Sequence, residues 1–233
     1  MTLTNLKSIP KSPLVVGTIH SPGALRRALS LKRGEVDLLE LRVDHFAEAP
    51  DDLLKAAPKL QAPLIVTVRH PGEGGAGGLP LGKRRALYAQ FISFAAFVDI
   101  EVRSCKAFGG LIAEAKAGGK HVIVSDHHFR STPPLARLEE RFETARRAGA
   151  SLFKLAALAS APSDLVTLLS FLSAKRRLPL SVMGMGAYGK VSRLLFARAG
   201  SILNYGYLDR PQVPGQWEAT LLKERIAEVT GEH

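Results

Sequence analysis

A lysine interrupts a stretch that otherwise reads as a buried strand. Residues 151–157 run Ser-Leu-Phe-Lys-Leu-Ala-Ala, with Lys154 at their centre. If side chains alternate, Leu152, Lys154 and Ala156 share one face and Ser151, Phe153 and Leu155 the other, so the ammonium is flanked by apolar neighbours. Desolvation there favours the uncharged amine. An ordinary lysine, with a pKa of about 10.4, is neutral at pH 7 in only about one molecule in a few thousand, whereas one lowered to roughly 7 or 8 is largely available as a nucleophile. The chemistry this suggests is imine formation with a ketone. Taken alone, Lys154 also fits a plainer role, snorkelling to solvent or pairing with a carboxylate, so its neighbours must decide.

His127 lies in Ser125-Asp-His-His-Phe129. Adjacent histidines on a strand point to opposite sides, so His127 and His128 do not share a metal, and no second His or Asp at ligand spacing completes a site. A histidine beside Lys154 is a general acid/base for near-neutral pH, and Glu73 is a carboxylate that could orient it or stabilise its charge. Glu40 and Arg42 are two apart and share a face, as do Met183 and Met185. Arg42, Arg69 and Arg193 are either scaffold ion pairs or a set suited to a substrate with a carboxylate and hydroxyls. Asp99, Glu101 and Arg103 alternate as an internal charge ladder with no catalytic role assigned, and Cys105 reads as a buried small hydrophobe.

Something must bring these residues together. Apolar, β-branched-rich runs bounded by turn residues occur at 14–19, 37–43, 64–69, 97–102, 121–125, 152–156, 180–183 and 202–207. Helical periodicity falls between and after them, at 23–31, 51–57, 83–94, 106–117, 135–148, 163–173, 190–199 and 217–229. Eight βα units in one chain of 233 residues predict a single α/β domain over 1–233, a (β/α)8 or TIM barrel. Its active site collects at the carboxyl ends of the strands. There the sequence offers Thr18, Glu40, Arg42, Arg69, Glu73, His127, Lys154 and Arg193, with His127 and Lys154 on neighbouring strands.

Two glycine-rich stretches, 72–77 and 184–189, both match G-x-G-x-x-G after a strand. The second has Asp209 about twenty residues on, as a dinucleotide-binding unit requires. Only one helix follows Asp209, however, and in the first stretch Gly78, Leu79 and Pro80 intervene before the helix. Both are therefore read as barrel loops whose glycines let backbone approach or close over a ligand.

Composition narrows the class. Hydrophobic content of 46% supports a sizeable core, and the one cysteine allows neither an internal disulfide nor a thiolate metal cluster. Residues 1–12 lack the apolar core of a signal peptide, and no segment has the 18 uninterrupted apolar residues of a membrane span, so the expectation is a soluble cytoplasmic protein with no membrane partner. A net charge of +11 would fit a nucleic-acid binder. The clusters 83–85, 146–147 and 175–177 fall on three separate helical patterns without interleaved aromatics, which argues against a nucleic-acid partner and suits attraction of a small anion equally well.

The motifs resemble those of the type I 3-dehydroquinate dehydratases. The resemblance rests on Glu40-Leu-Arg-Val-Asp-His-Phe46, Thr67-Val-Arg-His-Pro-Gly-Glu-Gly-Gly75, Ser125-Asp-His-His-Phe-Arg-Ser-Thr-Pro133, Phe153-Lys-Leu-Ala156, Met183-Gly-Met185 continuing to Ser192-Arg193, and Pro214-Gly-Gln216. It runs in order from about Leu14 to Leu222. It implies a metal-free and cofactor-free barrel, commonly a homodimer, that acts in the shikimate pathway leading to chorismate and the aromatic amino acids. Its reaction would convert 3-dehydroquinate to 3-dehydroshikimate by syn elimination through an imine. In that scheme Lys154 forms the Schiff base, His127 removes the neighbouring proton and returns it to the departing hydroxyl, and Glu73 partners His127. Arg193 would hold the substrate carboxylate, Glu40, Arg42, Arg69 and Gln216 would bind hydroxyls, and Met183 and Met185 would line an apolar wall. Thr18, Tyr205 and Gln212 join them as substrate-binding positions. The guanidinium groups would further depress the Lys154 pKa. The chain departs from the family where His128 replaces the usual aspartate and where Gln212-Val213 precede Pro214 in place of the usual Ser-Ala.

Two other readings carry different signatures. A lysine-dependent aldolase would form the same imine but cleave a carbon–carbon bond. A basic nucleic-acid-binding barrel would bind with steep salt dependence whether or not Lys154 is present.

Overall fold

The computed structural model describes residues 8–231, so part of the amino-terminal stretch read above lies outside the described residues. Eight parallel strands alternate with eight principal helices: β1 (Leu14–Ile19), α1 (Pro22–Ser30), β2 (Leu38–Arg42), α2 (Asp51–Ala56), β3 (Leu64–Thr67), α3 (Leu81–Phe91), β4 (Ala95–Glu101), α4 (Gly109–Ala117), β5 (His121–His128), α5 (Leu135–Arg147), β6 (Leu152–Leu158), α6 (Pro162–Ser173), β7 (Leu180–Met185), α7 (Gly189–Arg198), β8 (Leu203–Tyr207) and α8 (Ala219–Thr230). The sheet runs β7-β6-β5-β4-β3-β2-β1-β8, every pair parallel, and curls into the expected (β/α)8 barrel.

Local sequence explains the junctions. Ser21 caps α1 by accepting the Ala24 amide, and Pro22 occupies the first turn, where its missing N–H costs nothing. The strand ends nearest the site differ from the sequence expectation. β5 continues through Asp126, His127 and His128, and β7 through Gly184 and Met185, because these residues still pair with β6. Polarity and glycine at a strand end signal a turn only where pairing stops. β2 and β3 conversely end early, with Val43–Phe46 winding into a 3-10 turn.

The outward strand faces pack under the helices in one apolar cluster that includes Val66, Val98, Phe153, Phe171 and Phe196. Inside the barrel a second cluster, with Leu38, Ile65, Phe97, Ile123, Leu152 and Leu203, forms an apolar floor. Above that floor the inward positions turn polar: Thr18, Glu40, Thr67, Asp99, Ser125, Lys154 and Ser181. All but Ser181, which lies at the start of β7, are one alternation step beyond a floor residue of their own strand.

The seam between β7 and β8 carries no continuous ladder in this sheet order, and one backbone bond together with side chains stitches it. Ile202 N donates to Leu180 O (2.9 Å), and the Ser181 hydroxyl donates to Leu203 O. Ser201 Oγ accepts from Val182 N (2.9 Å). Arg193 donates from Nη1 to Gly184 O (3.0 Å) and from Nε to Tyr205 O (2.9 Å), bridging the two strands. Backbone groups that a ladder would have satisfied find partners this way.

Candidate active site

A cavity of about 400 Å³ opens at the carboxyl ends of the strands, and all thirteen sequence-nominated residues line it. Lys154 is 4% exposed. Its Nζ lies 3.0 Å from Asp99 Oδ2, 3.5 Å from Glu40 Oε1 and 3.8 Å from the centre of the Tyr205 ring. The expectation of an apolar setting is therefore corrected. Neighbours along β6 are apolar, but those across the barrel are carboxylates, a relation set by strand order that alternation within one strand cannot reveal.

Lys154 belongs to a buried charge cluster. Arg69 donates two hydrogen bonds to Asp99 (3.0 and 2.9 Å) and one each to Glu101 (3.2 Å) and Ser125 (2.7 Å), and it approaches Glu40 at 3.8 Å. Arg84 donates to the other Glu101 oxygen at 2.7 Å. Thr67 donates to Glu40 at 2.9 Å. Glu40, Asp99 and Glu101 thus face Arg69, Arg84 and Lys154, three anions against three cations, which is the condition for burying so much charge. Burial alone would raise the Asp99 carboxyl; Arg69 and Lys154 outweigh it and hold Asp99 far below the usual carboxylate range.

His127 and Glu73 form the second unit. His127 Nδ1 lies 2.9 Å from Glu73 Oε2, with both side chains nearly enclosed. Burial, reinforced by Arg69 and Lys154, keeps the imidazole well below its ordinary pKa, so it is neutral at pH 7. Burial pushes the Glu73 carboxyl up to about 8. The tight turn Pro71–Glu73 presents Glu73, and the chain then folds back so closely that a Cβ on Gly75 would come within 2.2 Å of Arg69 O. Only glycine fits there. His128 points away, as expected, and binds Asp126 at 2.8 Å; Asp126 is also held by Arg141.

The three nominated arginines divide. Arg69 is consumed by the charge cluster, and Arg42 by Asp44, with bonds of 3.0 and 2.8 Å and a third to Gly74 O. Both are thus paired with carboxylates of the scaffold, and both also border the cavity. Arg193 is 1% exposed and donates only to backbone carbonyls of Tyr205, Gly184, Gly189 and Gly215. With no carboxylate beside it, burial brings its pKa down to about 10. A buried guanidinium that is hydrogen-bonded but not charge-compensated has a charge available for an anion.

Gln216 Oε1 accepts from the amides of Gln212 (2.7 Å) and Val213 (3.4 Å), so it orders the loop after β8, and Gln212 Oε1 accepts a long 3.5 Å bond from Arg42. Gly189 and Gly215 bring this loop against the start of α7: a Cβ on Gly189 would meet Gly215 O at 2.7 Å, and Gly186 N donates to Pro214 O at 2.9 Å. Gly189 therefore admits another backbone, while Gly184 packs against the Ser192 side chain and Gly186 against that of Leu158. Met183 and Met185 form the apolar wall, Thr18 borders the polar layer, and the Tyr205 hydroxyl is buried without a partner.

Sequence reasoning missed Asp99, the residue in closest polar contact with Lys154. Its two-residue spacing from Glu101 showed a shared face but not which side faced inward. It also missed Asp44, which receives Arg42 and the amides of Arg69 and Ala76, and the rim histidines His20 and His45. Among the described residues no group of three or more His, Cys, Asp or Glu could hold a metal ion, and no helix is long and apolar enough to cross a membrane.

Comparison with known proteins agrees with this architecture. A 3-dehydroquinate dehydratase of Pyrococcus abyssi is 32% identical over 204 residues, covering 87% of this chain and 92% of that protein. One from Klebsiella pneumoniae is 31% identical over 226 residues, covering 91% and 89%. The crystal structure of 3-dehydroquinate dehydratase from Geobacillus kaustophilus superposes with a TM-score of 0.85 at 24% identity, covering 95% of this chain and 92% of that one, and so shares the fold. The family model described as Type I 3-dehydroquinase matches residues 15–229, and the chain belongs to that family.

Proposed function

We propose that this chain dehydrates 3-dehydroquinate to 3-dehydroshikimate, with Lys154 as the imine-forming amine and His127 as the proton carrier. The observation that carries this reading is the meeting, in one cavity, of a buried amine, a neutral buried imidazole and a guanidinium without a counter-ion. Arg193 takes the substrate carboxylate, which supplies the charge that its surroundings lack. Lys154, once deprotonated, adds to the ring ketone, and loss of water gives a cationic iminium. Asp99 and Glu40, placed to neutralise the ammonium, neutralise that iminium equally well. The iminium acts as an electron sink and acidifies the adjacent C–H, so a base as mild as imidazole suffices and no metal or cofactor is required.

His127 takes that proton. Its pKa, lowered by burial, makes the resulting imidazolium a strong acid, ready to protonate the departing hydroxyl on the same face. In its ionised form Glu73, 2.9 Å away, accepts the Nδ1 hydrogen bond and balances the transient charge. Water then hydrolyses the imine and frees Lys154. The remaining polar and apolar lining, Glu40, Gln212, Gln216, Thr18, Tyr205, Met183 and Met185, shapes the pocket around the ring, while Arg42 and Arg69 act mainly by fixing Asp44 and Asp99. On the resemblance to its family, the protein is read as a cytoplasmic homodimer.

Borohydride added with substrate should inactivate the enzyme irreversibly and add the mass of the reduced adduct to the peptide carrying Lys154. Lys154→Ala should show neither labelling nor the ultraviolet absorbance of the conjugated enone. Labelling at another residue, or a product of carbon–carbon cleavage, would overturn this reading.

A further inference from the structure

Arg103 lies on the turn after β4 at the cavity rim, its side chain 47% exposed. Its Nε is 3.5 Å from Glu73 Oε1, while the other oxygen of that carboxylate is 2.9 Å from His127 Nδ1. One carboxylate therefore connects a solvent-facing cation to the buried imidazole. Arg103 Nη1 also lies 3.4 Å from His70 Nδ1, which accepts the Gly72 amide at 2.9 Å. Gly72 leaves space for the guanidinium: a Cβ there would fall 2.2 Å from Arg103 Nη1.

The other charged groups around Glu73 come from several elements. Arg69 follows β3, Glu101 ends β4, Asp126 and His127 belong to β5, and Arg141 projects from α5. Arg69 is taken up by Asp99 and Glu101, and Arg141 by Asp126. Arg103 is the cation that pairs with Glu73 itself from the solvent side.

We propose that Arg103 is a positioning residue which, acting through Glu73, sets the pH at which His127 can take the substrate proton. The inference rests on the dehydratase reading. An ionised Glu73 holds the Nδ1–H of His127 and leaves Nε2 free as the base. Burial pushes the Glu73 carboxyl up to about 8, and Arg69 and Arg103 oppose that rise. Removing Arg103 makes Glu73 ionise later, so the basic form of the pair appears at higher pH. The half-exposed contact is screened by salt, whereas the buried pairs of Arg69 are screened much less.

The test is turnover of 3-dehydroquinate against pH for wild type, Arg103→Gln, Arg103→Lys and Gly72→Ala. Arg103→Gln should move the acidic limb up by about half a pH unit, lowering turnover at pH 7 about threefold and leaving the high-pH plateau unchanged. Arg103→Lys should restore most of the shift. Gly72→Ala keeps the charge but displaces the guanidinium, and should follow Arg103→Gln. Raising ionic strength to about 1 M should move the wild-type limb the same way and leave Arg103→Gln in place. Coincident limbs in wild type and Arg103→Gln, equal salt responses, or a lowered plateau with an unmoved limb would each overturn the inference. A wild-type chain inactive at every pH would instead sink the dehydratase reading, and this inference with it.

Discussion

Substituting Asp99 by asparagine tests the charge cluster around the amine. Asp99 receives two bonds from Arg69, one from Ser125 at 2.6 Å and the ammonium of Lys154 at 3.0 Å, all in a setting with no exposure. An amide keeps the shape but removes the charge, leaves two anions facing three cations, and aims an NH2 at donors. Breaking a buried pair in this way costs about 3–5 kcal/mol. For a domain of this size each kcal/mol moves Tm by roughly 2–4 °C, so Tm should fall by about 10 °C. The sign of the pH dependence follows from the depressed Asp99 carboxyl. Its contribution is present above the ordinary carboxylate pKa and is lost as pH falls through the folded value, so the penalty should stay constant from pH 6 to 8 and shrink in strong acid. The second arm removes the cation as well. Lys154→Met alone leaves an anion in excess, and in the double variant the two losses should fall short of additive by about 1–3 kcal/mol. Calorimetric melts of the four proteins measure both quantities. An unmoved Tm for Asp99→Asn, or an additive cycle, would refute the claim that Asp99 is the counter-ion of Lys154.

Glu73→Gln should alter stability in the opposite sense. A carboxyl raised from 4.5 to about 8 keeps its proton in the folded state where the unfolded chain has already released it, so wild-type stability falls as pH rises between about 4.5 and 8. The glutamine variant cannot ionise, and its melting curve should lose that slope; a retained slope would place the titration elsewhere. Arg193→Lys keeps a cation but loses the fork and most of its four carbonyl contacts. We expect kcat/KM for 3-dehydroquinate to fall roughly 10²- to 10³-fold, mainly through KM, and an unchanged KM would remove Arg193 from carboxylate recognition.

The barrel was legible because eight apolar runs and eight amphipathic stretches recur at βα spacing, and that period depends on local chemistry alone. Lys154, His127 and Glu73 were legible for a related reason, since strand ends in this architecture converge and adjacent strands bring β5 and β6 side by side. Asp99 was not, because its role depends on reaching across the barrel interior to β6, and a sequence gives strand order more readily than tilt and stagger. The same blindness made Lys154 look apolar in its setting. Arg42, Arg69 and Arg193 were indistinguishable as residue types; what separates them is whether a carboxylate, Asp44 or Asp99, lies opposite. Strand ends were under-called at His128 and Met185 because the residues that carry chemistry resemble those that make turns.

The join between β7 and β8 has a mechanical meaning. Where neighbouring strands are zipped along their length, this joint is riveted at a few points, and Arg193 is one of the rivets. The residue proposed to grip the ligand thus also keeps the cylinder shut. Occupancy would tighten the rivet by giving its charge a partner, so a filled protein resists prising at this joint more than an empty one does. On the proposed role of Arg193, catalytic competence and the resistance of the wall to opening would be coupled through a single guanidinium.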